Sequence, residues 1–150
     1  MYMTLSKQMG RDLLATYRRL VHESVVNMEL LDNKDRADIV RNSRAPRLYI
    51  SAEMCWQLIN AYERNGGVTL TTEEPAKRQL YCVQEYRKYM ACTWLKNKTH
   101  INICRLIVNK EAPSFFCSRR TACEKIFWYK TIELRNKLKQ EGKWIRNKRK

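Results

Sequence analysis

The sequence predicts an all-α protein built from two tandem three-helix units of about 67 residues. Three observations predict it. Gly and Pro are scarce, four and three in 150 residues, while the hydrophobic fraction of 44% is enough for a packed core. Straight-chain residues lose little rotamer freedom in a helix, so a chain rich in them with few breakers reads as helical. Apolar residues recur at three- and four-residue steps, the spacing of one helix face. Finally, "RAPRLYIS" at 44–51 returns in altered form as "EAPSFFCS" at 111–118.

The elements follow in order. The first helix starts near Thr4 or Ser6, whose hydroxyls can cap free amides, and carries Leu5, Met9, Leu13, Tyr17, Leu20 and Val21. Gly10 interrupts it at some cost in propensity. Asp32 is a natural N-cap for a short second helix with Ile39 and Val40 facing inward. Pro46 disfavours helical backbone at Ala45 and ends it. Leu48, Tyr49 and Ile50 are then extended and apolar, and Ser51 caps a third helix to about Arg64 with Met54, Leu58, Ile59 and Tyr62 on one face. Asn65, Gly66 and Gly67 close it.

The second unit repeats the plan. Thr72 before Glu73, Glu74 and Pro75 starts a long helix through Leu80, Val83, Tyr86, Met90, Trp94 and Leu95 to about Lys98. Thr99 caps a short helix, and Ser118 caps a last one that runs to about Glu141 before Gly142. At an offset of 67, Asn42 matches Asn109, Ala45–Pro46 matches Ala112–Pro113, Tyr49 matches Phe116, and Ser51 matches Ser118. Ile59 and Tyr62 match Ile126 and Tyr129. These are breaking, capping and core positions, so an AP-x-aromatic-x-S corner before each third helix is the mark of a duplication. The units are 1–67 and 68–142, with a basic tail at 143–150.

Charge is divided unevenly. Residues 1–75 hold ten Lys/Arg and ten Asp/Glu, so the whole net of +15 falls in residues 76–150. That asymmetry calls for an acidic partner, either an acidic protein surface or a nucleic acid backbone. In the last helix and tail the candidate contacts are Arg119, Arg120, Lys130, Lys137, Lys139, Lys143, Arg146, Lys148, Arg149 and Lys150, with Trp128 and Tyr129 interleaved. The third helix of a trihelical unit is also the one that enters a major groove in helix-turn-helix proteins. The alternative for these charges is a solvated face over a core of aromatics. On the neutral first half, Trp56 and Tyr49 are candidates for a second, protein-contacting area.

Other chemistries find little in the sequence. The six cysteines lack the close pairs of a zinc site, and His22 and His100 are not spaced as ligands, so neither metal nor cofactor is expected. The cysteines read as small buried hydrophobes in a reduced compartment. Gly-rich phosphate loops and nucleophile elbows are missing, so neither enzymatic activity nor a small-molecule substrate is expected. The N-terminus does not read as a secretory signal. No run approaches the ~20 apolar residues of a membrane span, and the tail does not set its polar residues opposite a broad apolar face, so no membrane partner is expected.

"APRLYIS…LINAYER" and "APSFFCS…IFWYK", each after a short helix ending in Asn, resemble small basic two-repeat proteins of tailed phages and mobile elements of gut bacteria. The resemblance implies a phage structural protein, an auxiliary component of the virion in the head or portal-vertex region. It would sit among other virion proteins or copies of itself. The same resemblance leaves open a DNA-binding regulator of a phage or mobile element, acting in the host cytoplasm.

Overall fold

A computed structural model describes residues 4–23, 27–92 and 98–142. Among them are six helices and no strand: α1 (Leu5–Glu23), α2 (Asn33–Arg41), α3 (Ala52–Asn65), α4 (Glu73–Ala91), α5 (His100–Asn109) and α6 (Arg119–Gln140). The protein is all-α, as its composition and periodicity predict.

Local chemistry sets most of the boundaries. Thr4 Oγ1 accepts from the Lys7 amide at 3.2 Å and Asp32 Oδ1 from Asp35 at 2.8 Å. Ser51, Thr99 and Ser118 cap α3, α5 and α6 in the same way, each through the amide three residues on. Gly66 closes α3 with a left-handed φ of 72°, open to a residue without Cβ. α4 stops at Ala91 with Cys92 as its C-cap, short of the expected Lys98. Trp94 and Leu95 lie outside the described residues.

Packing departs from the linear order of the helices. α6 packs on α1 and α2, and α3 packs on α4 and α5. The two units have therefore exchanged their third helices, and the repeat in sequence is not the packing unit in space. Two bundles result, α1·α2·α6 and α3·α4·α5, sharing one continuous core.

The exchange explains the repeated phrase. The two corners meet each other: Ala45 donates to the Ala112 carbonyl at 2.9 Å and Ala112 donates back at 2.8 Å, an isolated antiparallel bridge. Leu48 donates to the Val108 carbonyl at 3.0 Å, and Phe115 to the Arg41 carbonyl at 2.9 Å. Adding 67 to Ala45, Leu48 and Arg41 gives Ala112, Phe115 and Val108. A pseudo-twofold axis thus passes through the Ala45–Ala112 pair, and the contact is of the self-complementary kind seen in symmetric dimers. Proline directly after each alanine keeps that alanine out of helical backbone, so its N–H bonds across the axis rather than along a helix.

The corners also carry the aromatic part of the core. Tyr49 stacks on Phe115 with centroids 5.8 Å apart, and its hydroxyl donates to Asp12 of α1 at 2.5 Å. Phe116 meets Tyr81 of α4 at 5.5 Å. It holds a φ of 50°, a left-handed conformation uncommon for a bulky residue, and the Ser114 hydroxyl accepts from its amide at 3.2 Å.

Burial patterns align the paired helices more closely than sequence does. Gly10, Leu13, Leu14 and Thr16 are buried in α1; Gln79, Cys82, Val83 and Glu85 are buried in α4, each 69 residues on. In one bundle Leu13, Ala37 and Ala122 are buried; the matching positions in the other are Cys82, Cys104 and Cys55, all fully buried. One large and two small side chains are replaced by three of intermediate size. Some expected core positions are on the surface instead: Met54, Leu80 and Met90 are exposed.

Candidate functional site

Exchange of the third helices redistributes the charge. The α1·α2·α6 bundle holds fourteen Lys/Arg against six Asp/Glu in its helices, a net of +8. The α3·α4·α5 bundle holds six against five, a net of +1. The neutral surface expected from the first half of the sequence is therefore broken up, because α6 brings its cations onto helices of that half.

α6 is fastened to this bundle along its length. Arg119 pairs with Asp38 at 2.6 Å, Lys125 donates to the Ser6 hydroxyl at 2.7 Å, and Arg18 pairs with Glu133. Lys130 lies 4.9 Å over the Tyr17 ring. Tyr129 packs against Gly10, where a Cβ would overlap its ring. Gly10 thus leaves room in α1 for a side chain of α6, a role its helix propensity alone does not reveal.

Asp38 anchors a network that reaches α4. Arg41 donates to Asp38 at 2.7 Å, to Glu74 at 2.8 Å and to the Cys117 carbonyl at 3.2 Å. The hydrogen bond from Arg119, against an opposing effect of burial and aided by that from Arg41, holds the Asp38 carboxyl below the usual carboxylate range. A second network joins Glu85 to Lys110 at 2.6 Å and Lys88 at 3.4 Å.

The predicted contact residues take different places. Arg119 and Arg120 are engaged with Asp38 and Glu124, leaving less of their charge for a partner. Lys130, Lys137 and Lys139 are exposed on α6. Lys143, Arg146, Lys148, Arg149 and Lys150 lie outside the described residues. Tyr49 is 7% exposed and belongs to the core, so the expectation that it offers a contact surface is corrected. Trp56 is partly buried, stacked on His100 at 4.4 Å and tilted against Tyr86 at 5.6 Å.

Sequence reading placed Trp128 among the cations of α6 but missed Phe127 and Leu134. Phe127, Trp128 and Leu134 of α6 are 45%, 57% and 58% exposed. Ala122, Ile126 and Tyr129 face α1 and α2, so α6 carries apolar residues on two sides and lacks the single stripe of an ordinary surface helix. Grooves flank Phe127 on both sides. One is lined by Arg18, Lys130, Glu133, Leu134 and Lys137, the other by Cys123, Glu124, Trp128, Ile132 and Arg135, and Thr131 borders both.

Reactive chemistry is muted in the described residues. Burial pushes the Cys117 thiol up to about 11, so it is protonated at neutral pH although it stands one residue before the Ser118 cap of α6. A hydrogen bond with the Cys55 thiol and burial likewise push the Cys104 thiol up. No group of three or more His, Cys, Asp or Glu among the described residues is arranged to hold a metal ion. No helix among them is long and apolar enough to cross a membrane. Neither a family model nor a curated protein nor a solved structure matches the chain.

Proposed function

We propose that the protein is a non-enzymatic structural component that packs against an acidic protein surface through α6. Its setting is the virion, in the head or portal-vertex region, as the sequence resemblance implies. The observation that carries the reading is the mixed character of α6: exposed Phe127, Trp128 and Leu134 beside Lys130 and Lys137, on a bundle of net +8. Protein interfaces use aromatic and apolar anchors within a charged rim. A duplex backbone gains from the cations but has nothing to cover Phe127 and Leu134.

The net charge of this bundle also favours a second reading, a nucleic-acid-binding regulator. Against it stands the connectivity. In a helix-turn-helix, the recognition helix follows its supporting helix after a short turn. Here the helix seated on α2 is α6, which enters from the other half of the chain.

A salt titration of binding to random-sequence duplex DNA, with sedimentation of the protein alone, separates the two readings. The structural reading expects weak DNA binding and recruitment into a defined assembly when an acidic virion protein is added. A slope of log K against log salt near about −5, as five or six neutralised phosphates would give, assigns the basic face to nucleic acid and refutes it.

A further inference from the structure

The outward face of α6 has a period. Phe127, Thr131, Leu134 and Leu138 follow at steps of four, three and four residues. At 3.6 residues per turn this is one stripe, on the side of the helix opposite Ala122, Ile126 and Tyr129. Lys130 and Lys137 stand along one edge with the Arg18–Glu133 pair beyond them, and Trp128 stands along the other edge with Glu124 and Arg135. α3 ends at Asn65, the counterpart of Ile132, so the turns bearing Leu134 and Leu138 have no equivalent in the other bundle.

We infer that this stripe is a docking groove for an amphipathic helix of a partner protein, with apolar residues at heptad spacing and Asp or Glu on the flank that meets Lys130 and Lys137. The inference rests on the reading of an acidic protein partner and names the form that partner takes at the contact. Alternating steps of four and three are the period of a seam between two helices, where each side chain of one enters a hole on the other. A flat acidic surface would meet the cations and leave the spacing unused. Carboxylates along one flank of an incoming helix fall beside Lys130 and Lys137. A second copy of this chain fits the same stripe poorly, since it would set those cations against their own duplicates at the positions where charge selects the partner.

The test uses the full chain and a fluorescent 21-residue helical peptide with Leu at the seam and Glu along one flank. A Gln-flanked version and polyglutamate of equal length serve as comparisons, and anisotropy reports binding. Saturable binding of one Glu-flanked peptide per chain is expected. Leu134→Ser should weaken it about tenfold, as should the double change Lys130→Gln/Lys137→Gln, the scale of a single well-packed anchor. All three side chains are exposed, and unchanged melting curves confirm that the variants fold. Equal binding of polyglutamate and the Glu-flanked peptide, both indifferent to Leu134→Ser, would overturn the helix groove while leaving an acidic partner in place. Binding of duplex DNA with neither acidic probe bound would overturn both. Self-association in sedimentation that Leu134→Ser abolishes would give the stripe to a second copy and overturn the inference.

Discussion

If the third helices are exchanged, neither half of the chain should fold alone as a monomer. Cutting between residues 67 and 68 severs only the connection from α3 to α4 and leaves all six helices intact. In an isolated 1–67, Leu58 and Ile59 of α3 lose α4 and α5. Leu13, Leu14 and Val40 lose the cover of α6. At roughly 2 kcal/mol for each large apolar side chain returned to water, five such residues amount to about 10 kcal/mol. That is comparable to the whole stability of a typical domain, about 5–15 kcal/mol. The corner adds to the loss, since Ala45 and Leu48 are left without their partners Ala112 and Val108. Fragments 1–67 and 68–150 should therefore show weak helicity and no cooperative melt when separate, and recover both on mixing at 1:1. Far-UV circular dichroism and sedimentation read the result. A homodimer of 1–67 would still agree with the exchange, because the corner could pair with its own copy across the twofold axis. A monomeric 1–67 that melts cooperatively would refute the exchange, since α3 would then be closing on α1 and α2.

Three further outcomes follow from named contacts. Gly10→Ala should destabilise by about 1–2 kcal/mol, because overlap with the Tyr129 ring outweighs the gain in helix propensity, and in a Tyr129→Ala background it should become neutral or stabilising. Urea melts of the four proteins give the coupling. Arg41→Met should cost about 3 kcal/mol in the same assay, since it leaves Glu74 and the Cys117 carbonyl without their shared donor. Because the Asp38 carboxyl is held below its ordinary value of 3.8, its contribution is complete above that pH and fades as pH falls through and below it. Thermal melts between pH 7 and 3 should therefore show a shallower acid limb for Asp38→Asn than for the parent protein, and equal limbs would count against the Arg119–Asp38–Arg41 network.

Helix positions were legible because their causes are local. A cap such as Ser118 needs only the amide three residues on, and Pro46 restricts only the residue before it. The stripe on α6 was legible in principle, since Phe127, Thr131, Leu134 and Leu138 are spaced for it. It went unread because Ala122, Ile126 and Tyr129 form a second apolar side, and periodicity does not say which side a neighbour covers.

The chain by itself determined six α-helices, most of their ends but not that of α4, and the repeat that writes the corner twice. Tertiary structure decided which bundle each third helix joins. Both copies have the same pattern, so the periodicity of α3 and α6 does not say which pair of supports each one joins. The choice lies in long-range contacts: the Ala45–Ala112 bridge, Tyr129 seated on Gly10, and Gln79 donating to the Leu58 carbonyl at 3.0 Å. That same choice moved the cations of α6 onto α1 and α2. Net charge can be counted along a chain, but the surface that carries it exists only once the helices have been paired.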